Sequence, residues 1–295
     1  NCVNFFIGLF LFVSYCISDK KISAEVHDIS SQNLSRRVPV SNTKDELNEL
    51  SVTFNDLLTR LQESFEIQKR FIANASHELS TPLTSISSQV EITLQNERSA
   101  NEYKEVLQSV YEDVRNLTEL TRGLLALAKA SGTSGGIELS SVRIDELLMR
   151  LPAELKTVDP QYSVDLHFDN FPEDENLFHV FGNSDLLHSA IKNVVINACK
   201  YSDDKMAKVY LHFNSDNINI AVADNGPGIN QEELNLIFQP FYRSNNAAQK
   251  PGFGLGLSLA LRIIKLHKGD IHIKSANNYT VCNISLPLAN VLTGA

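Results

Sequence analysis

The chain has 295 residues, of which 43% are hydrophobic and 21% charged, and its formal net charge is -9. This length accommodates about two domains, and the ordinary apolar content favours a globular protein. The negative charge excludes general attraction to nucleic acid, so a polyanionic ligand would need a local binding site. The four cysteines form no C-x-x-C pair, which argues against a thiolate metal site.

The first segment is strongly apolar. The stretch CVNFFIGLFLFVSYCIS carries no charge before Asp19, and Lys20 and Lys21 follow directly. A full membrane span takes about 20 apolar residues, and the two lysines predict a cytoplasmic position for the chain that follows. We therefore expect residues 1–18 to be the C-terminal part of a transmembrane helix in the cell inner membrane, with a buried core helix as the alternative.

Residues 19–68 combine a short helical pattern, a break and a second helix. The break contains Pro39, and Thr43 with Glu46 forms the pattern of a capping box. Apolar residues then recur at steps of three and four, as in a coiled coil, at Leu47, Leu50, Phe54, Leu57 and Leu61. A helix, an extended connector and a second helix beside a membrane resemble a HAMP signal relay, and a plain coiled-coil stalk is the alternative.

The spacing of apolar residues in 69–131 predicts two long antiparallel amphipathic helices, separated by a turn at NERSAN. Near Ser64 and Phe65, before the first of these helices, the apolar positions shift out of their regular helical spacing. Ser99 and Glu102 form a capping-box pattern at the start of the second. Two helices alone cannot bury both apolar stripes, so we expect a homodimer that pairs them in a four-helix bundle.

The first of these helices contains NASHELSTPLTS, which includes His77, Glu78, Thr81 and Pro82. His77 and Thr81 share a helix face beside the apolar stripe. Pro82 cannot donate to the Glu78 carbonyl, so the helix is expected to bend or loosen there. Glu78 can accept a hydrogen bond from the His77 imidazole and leave its other nitrogen as a nucleophile. A solvated His–Glu pair on a helix surface is the alternative.

Beyond the linker SGTSGG the pattern changes to α/β. The segments predicted as strands are 162–168, 208–214, 218–224, 269–275 and 280–287. The segments predicted as helices are 143–150, 184–200 and 256–267.

Three stretches of the α/β part predict a nucleotide site. The first, DNGPGI, ends a strand in a carboxylate beside two glycines that let the backbone approach a ligand: Asp224, Gly226 and Gly228. The second, GFGLGLS, opens a helix whose amide N–H groups favour phosphate, at Gly252, Gly254 and Gly256. The third, NVVINACKYS, offers amide oxygens for a hard cation, a lysine for phosphate and an aromatic ring, at Asn193, Asn197, Lys200 and Tyr201. An amphipathic helix with polar decoration is the alternative for the third stretch alone.

Five stretches in this order resemble the membrane-bound sensor histidine kinases of two-component systems. FIANASHELSTPLT is similar to the H box, NVVINACKY to the N box, DNGPGI to the first glycine box, FQPFYR to the F box and GFGLGLS to the second glycine box. The resemblance covers nearly the whole chain. It implies a transmembrane helix at 1–18, a HAMP linker at 19–68, a dimerisation and histidine phosphotransfer bundle at 69–131, and a catalytic ATP-binding domain, an α/β sandwich of the GHKL type, at 132–295.

The resemblance also implies roles for particular residues. His77 would be the phosphoacceptor, Glu78 its activating neighbour, and Thr81 a residue that places water in a phosphatase reaction. Asn197 would hold Mg²⁺. The residues implied in ATP binding are Asn193, Asn197, Lys200, Tyr201, Asp224, Gly226, Gly228, Arg243, Gly252, Gly254 and Gly256. Ser80, where the family usually has arginine, and Pro251, where it often has glycine, depart from the pattern.

The implied activity is autophosphorylation of His77 from ATP, followed by transfer to an aspartate on the receiver domain of a response regulator, with phosphatase activity on that partner. Transfer within or between protomers stays open. One alternative is a catalytically silent nucleotide-binding membrane scaffold. Another is an ATPase of the chaperone or mismatch-repair kind, which would need a carboxylate where Asn193 stands.

Overall fold

The structure is a computed structural model that describes residues 35–40, 46–130, 138–168, 172, 174–244, 250–276 and 278–289. Its compact units are Asn1–Ala73 and Asn74–Ala295. The predicted transmembrane segment, residues 1–18, lies outside the described residues. Among the helices that are described, none is long and apolar enough to cross a membrane.

Helix α1 extends without interruption from Glu46 to Gln95. The phase slip predicted near Ser64 and Phe65 does not break the backbone, because a change in the apolar stripe alters packing but leaves the helical hydrogen bonds intact. Pro82 also lies inside the helix. It removes one N–H donor, and the surrounding turns continue the helix on both sides.

The segment before α1 is extended and is fastened to the helix at Val38. The Val38 N–H donates to Asn55 Oδ1 at 2.8 Å, and Asn55 Nδ2 donates to the Val38 carbonyl at 2.9 Å. The Arg37 guanidinium adds hydrogen bonds to Thr59 Oγ1 and Gln62 Oε1. An extended connector lying on a helix agrees with the HAMP pattern predicted from the sequence.

Helix α2 comprises Ala100–Lys129 and begins with the predicted capping box. The Ser99 N–H donates to Glu102 Oε2 at 2.8 Å, and the Glu102 N–H donates to Ser99 Oγ at 3.4 Å. Large apolar side chains remain exposed on α1 and α2 of the single chain, among them Leu83, Val90, Leu94, Leu107 and Val114. Apolar surface of this extent on two helices indicates a missing partner surface.

The C-terminal part is an α/β sandwich of two layers. Its strands are β1 (Ser140–Arg143), β2 (Ser163–Phe168), β3 (His179–Gly182), β4 (Met206–Phe213), β5 (Asn217–Asp224), β6 (Asp270–Ala276) and β7 (Tyr279–Pro287). Its helices are α3 (Ile144–Val158), α4 (Ser184–Tyr201) and α5 (Gly256–Leu266), with a 3₁₀ turn at Glu175–Phe178.

The main sheet has five strands in the order β2-β4-β5-β7-β6. Strands β2 and β4 are parallel, and the other neighbours are antiparallel. Alternate side chains of β5, Ile218, Ile220 and Val222, are buried, and helices α3, α4 and α5 pack on the sheet. The helices and the buried sheet face form the core, which positions the residues at the ends of α4, β5 and α5.

Two strands, β1 and β3, were not predicted from the sequence. Each has only four residues, and they pair with each other in a separate antiparallel sheet. A four-residue segment gives too short an alternation to be recognised, and its pairing depends on a distant partner. The other five strands lie within about two residues of their predicted bounds.

The predicted end of the helix at residue 150 was wrong, because α3 continues through Pro152 to Val158. An internal proline costs about 3 kcal/mol. Leu148, Leu151 and Leu155 of the same helix are fully buried, and each such side chain contributes about 2 kcal/mol. Tertiary packing therefore outweighs the local cost of the proline.

Candidate active site

The candidate phosphoacceptor, His77, lies on the solvent side of α1. Its side chain is 79% exposed, and its Nδ1 is 3.9 Å from Glu78 Oε1. This separation is too long for a hydrogen bond, because successive helix residues point in different directions. The predicted hydrogen bond from His77 to Glu78 is therefore not formed here. The exposed ring is accessible to a phosphoryl donor that approaches through solvent.

The helix turn that follows His77 has an unusual hydrogen-bond pattern. Thr81 Oγ1 donates to the His77 carbonyl at 3.1 Å, which is the back-bonding typical of threonine inside a helix. Pro82 has no N–H to donate to the Glu78 carbonyl. This turn therefore has one backbone hydrogen bond fewer and one side-chain hydrogen bond more than a regular turn.

Helix α4 presents the two candidate metal-binding amides. Asn193 and Asn197 are one turn apart and half-buried. In the described part of the chain, neither side-chain amide makes a hydrogen bond. A Cβ built on Gly256, the first residue of α5, would lie 3.5 Å from Asn193 Oδ1. The start of α5 therefore lies directly over this face of α4.

Asp224 ends β5 beside the same helix. Burial raises the pKa of its carboxyl to about 6, although the Gly226 N–H and the Lys250 ammonium act in the opposite direction. The Gly226 N–H donates to Asp224 Oδ1 at 3.0 Å. One carboxylate oxygen is thus engaged by the turn, and the other is available to accept a hydrogen bond from a ligand.

Two glycines are required by the geometry of the adjoining turns. A Cβ on Gly226 would lie 2.4 Å from the Tyr201 carbonyl oxygen, so only glycine allows the turn after β5 to approach α4 this closely. Gly254 has a φ of +69°, a conformation that favours glycine. Gly228 and Gly252 belong to the same two turns, which the sequence motifs predicted.

Three cations converge around Tyr201, at the end of α4. The Nζ atoms of Lys200 and Lys250 lie 4.9 and 5.5 Å from the centroid of its ring. Lys200 Nζ also donates to the Pro251 carbonyl, and Arg243 donates to the Lys250 carbonyl. Burial, Arg243 and Lys250 together lower the pKa of the Lys200 ammonium to about 8. A polyanionic ligand would relieve the repulsion among these cations.

Lys250 was missed in the sequence analysis. It lies directly before Pro251 and the second glycine stretch, so its charge in an otherwise uncharged segment is the signal that could have identified it. Its position beside Tyr201 depends on how the segment before α5 folds back over α4, which the sequence motif does not specify.

The structure thus brings together the candidate nucleotide residues of α4, of the turn after β5 and of the turn before α5. Among the described residues, His77, Glu78 and Thr81 form no hydrogen bond or ion pair with that group. The described residues also contain no cluster of three or more His, Cys, Asp or Glu that could hold a metal ion.

Three family models match successive parts of the chain. The HAMP domain matches residues 20–63, the His Kinase A (phospho-acceptor) domain matches residues 67–133, and the histidine kinase-, DNA gyrase B-, and HSP90-like ATPase matches residues 182–290. His77 falls inside the second match, and the pocket around Asp224 falls inside the third.

Curated relatives align with nearly all of the chain. The signal transduction histidine-protein kinase ArlS of Staphylococcus epidermidis is 28% identical over 289 residues, which cover 94% of this chain and 62% of that protein. The sensor histidine kinase HprS of Escherichia coli is 28% identical over 273 residues, which cover 92% of this chain and 59% of that protein. The chain therefore spans about three-fifths of the length of these relatives.

Two solved structures share the fold. The Acinetobacter baumannii histidine kinase AdeS aligns with a TM-score of 0.56 and 20% identity, covering 72% of this chain and 98% of that one. The histidine kinase ThkA, solved in complex with the response regulator protein TrrA, aligns with a TM-score of 0.61 and 20% identity, covering 77% and 64%. At this identity the likeness establishes the fold alone.

Proposed function

The chain belongs to the sensor histidine kinases of two-component systems, and on that premise we propose that it transfers the γ-phosphoryl group of ATP to His77 and then to an aspartate of a response regulator. One observation carries the proposal. The chain combines an exposed imidazole within the phospho-acceptor match and a cluster of three cations, Lys200, Arg243 and Lys250, within the ATPase match. The first region would supply the nucleophile for phosphoryl transfer, and the second would bind the phosphates of ATP.

ATP would bind with its base at the end of β5 and its phosphates over α4. The Asp224 carboxylate would accept a hydrogen bond from the exocyclic amine of adenine, and Tyr201 would pack on the base. Lys200, Arg243 and Lys250 would pair with the phosphate oxygens. The glycines of the two turns would let the backbone close over the nucleotide.

The donor set also fits a magnesium ion. Mg²⁺ prefers oxygen ligands and usually keeps several waters, with one or two protein ligands and substrate phosphates completing its shell. Asn197 would supply an amide oxygen and Asn193 would support it, since neither amide has another partner among the described residues. When bound, the ion would neutralise charge on the phosphates, as phosphoryl transfer requires.

The reaction would form a bond between a ring nitrogen of His77 and the γ-phosphorus. The bond from that phosphorus to the bridging oxygen would break, and ADP would leave with the electron pair. Glu78 would stabilise the positive charge that develops on the imidazole. Transfer would require the γ-phosphorus and a ring nitrogen of His77 to align at reacting distance, which a motion of the ATP-binding domain relative to α1 would allow.

The surroundings of this reaction are proposed from the same premise. The exposed apolar faces of α1 and α2 would pair with those of a second copy in a homodimeric four-helix bundle. The proposed bounds of this dimerisation domain are 69–131. Residues 1–18 would anchor the chain in the inner membrane, and residues 19–68 would relay a signal to the cytoplasmic ATP-binding part at 132–295. Thr81 would place water for a phosphatase reaction on the response regulator.

The test is incubation of the chain with γ-labelled ATP and Mg²⁺, beside the variant His77→Gln. We expect acid-labile, alkali-stable label on the wild type only, as phosphohistidine requires. Label that persists in His77→Gln would mean that another residue is the acceptor. Tight ATP binding with no label on the wild type would favour the catalytically silent scaffold instead.

A further inference from the structure

Ser275 lies near the end of β6, outside every motif that the sequence analysis identified. Ser275 is 7% exposed, and so is Thr280 on the neighbouring strand β7. The Ile229 N–H donates to Ser275 Oγ at 2.9 Å, and Gln231 Nε2 donates to the Ser275 carbonyl at 3.3 Å. Ser275 therefore holds the segment that leaves the first glycine turn, through both its side chain and its backbone.

The hydroxyl has a second partner that fixes its orientation. Ser275 Oγ lies 3.0 Å from Thr280 Oγ1 and 3.4 Å from the Tyr279 carbonyl oxygen. The hydroxyl hydrogen can point to either of these oxygens, which leaves a lone pair for the Ile229 N–H. Because the site is buried, water cannot easily replace the hydroxyl if it is removed.

The first glycine turn is consequently fastened at both ends. Asp224 accepts the Gly226 N–H at the start of the turn, and Ser275 accepts the Ile229 N–H at its end. Between these bonds, Gly228 has a φ of +79°, and a Cβ on it would lie 3.2 Å from Ser275 Oγ. The two bonds together keep Gly226 against the Tyr201 carbonyl, where the pocket needs it.

We propose that Ser275 is a positioning residue for nucleotide binding, which holds the 226–229 turn in its binding conformation through the Ile229 N–H without touching the nucleotide. This inference rests on the proposed function, since it concerns the same pocket. Removal of the hydroxyl would leave a buried N–H without a partner, and the turn would relax to hydrate it. Nucleotide affinity would then fall by about tenfold, the usual scale for one unsatisfied buried donor.

The test is titration of the 295-residue chain with Mg-ADP for the wild type, Ser275→Ala and Ser275→Cys. The cysteine variant preserves the size of the side chain but has a poor acceptor atom, so it separates hydrogen bonding from packing. We expect both variants to bind Mg-ADP about tenfold more weakly. The KM for ATP should rise to the same extent, while the rate of His77 labelling at saturating ATP stays near the wild-type rate.

Asn183→Ala is the matched control. Asn183 Oδ1 also accepts a backbone N–H, that of Leu186 at 3.0 Å, at the start of α4 and outside the nucleotide stretches. Its loss should lower the melting temperature slightly and leave Mg-ADP affinity unchanged.

Two results would overturn the inference: wild-type affinity in Ser275→Cys, or equal losses of affinity in Ser275→Cys and Asn183→Ala. A wild-type chain that binds no Mg-ADP would instead contradict the proposed function, and the inference with it.

Discussion

The segment around His77, the proposed phosphoacceptor, and the proposed nucleotide site are constructed in opposite ways. His77 depends on one helix, and its side chain is 79% exposed. The pocket depends on three segments that are distant in sequence, and burial there shifts the pKa values of Asp224 and Lys200 towards neutrality. An acceptor must be reachable by more than one partner, whereas a pocket must desolvate and orient a single ligand. The difference means that each region can be disabled without disabling the other.

The largest expected effect separates the two regions completely. His77→Gln should abolish phosphorylation, because glutamine has no nucleophilic nitrogen, and it should leave Mg-ATP affinity unchanged. The measurements are label incorporation and calorimetric titration of the same preparation. His167→Gln, which changes a partly exposed histidine on β2, is the control and should retain both properties. A loss of ATP affinity in His77→Gln would show that the two regions are not independent.

Gly226→Ala adds a side chain where the turn after β5 lies against the Tyr201 carbonyl. The new Cβ would lie 2.4 Å from the Tyr201 carbonyl, so the turn must move away from α4 at a cost of about 1–3 kcal/mol. Nucleotide affinity should fall by about tenfold to a hundredfold, since the turn and Tyr201 both lie at the proposed base subsite. Helical content measured by circular dichroism should remain. Wild-type affinity would contradict the close approach of the turn to α4.

The pocket should also respond to pH. The ionised Asp224 carboxylate accepts a hydrogen bond more strongly than the protonated carboxyl, and its pKa is about 6. Lys200 must be protonated to attract phosphate, and its pKa is about 8. Mg-ADP affinity should therefore be highest between these values and fall by about tenfold per pH unit on either side.

Two variants distinguish the limbs of this profile. Asp224→Asn should remove the acid limb, and Lys200→Arg should remove the alkaline limb because the guanidinium stays charged. An affinity that does not change between pH 5 and pH 9 would rule out both assignments.

The smallest expected effect concerns stability, and only the ATP-binding part should show it. His267 is buried at the end of α5, where its Nδ1–H donates to the Ile263 carbonyl and its Nε2 accepts the Asn183 N–H. Burial lowers the pKa of this histidine, so the folded state favours the neutral ring. Its contribution to the free energy of unfolding is complete above the unfolded pKa of about 6.5 and is lost as the pH falls through the folded value.

Denaturant titration at a series of pH values tests this assignment. The wild type should lose stability below pH 6.5 more steeply than His267→Gln, which lacks the titrating ring. Parallel pH profiles for the two proteins would show that His267 does not contribute.

How much could be predicted from the sequence differs between local and distant interactions. The capping box at Ser99 and Glu102 is a pattern within four residues, and it formed as predicted. The glycine stretches, likewise, placed their turns correctly. Lys250 and Ser275 were missed because their importance arises from partners 50 and 46 residues away. Tertiary contacts of this kind leave no periodic pattern in the sequence.

Two local predictions were wrong for a related reason. The helix predicted to end at residue 150 continues through Pro152, because buried leucines on the same face compensate for the missing hydrogen bond. The hydrogen bond predicted between His77 and Glu78 is absent, because neighbouring helix residues diverge. In the first case tertiary packing outweighs local propensity, and in the second the two side chains lie 3.9 Å apart, beyond hydrogen-bond distance.

The most direct test of the central claim is to map the phosphoryl group after incubation of the chain with ATP and Mg²⁺. Proteolysis and mass spectrometry under alkaline conditions preserve phosphohistidine. The account predicts one phosphorylated peptide, with the added mass on His77 and no modification when Asn197 is changed to alanine. A phosphoryl group on a different residue, or none on a chain that binds Mg-ATP, would contradict it.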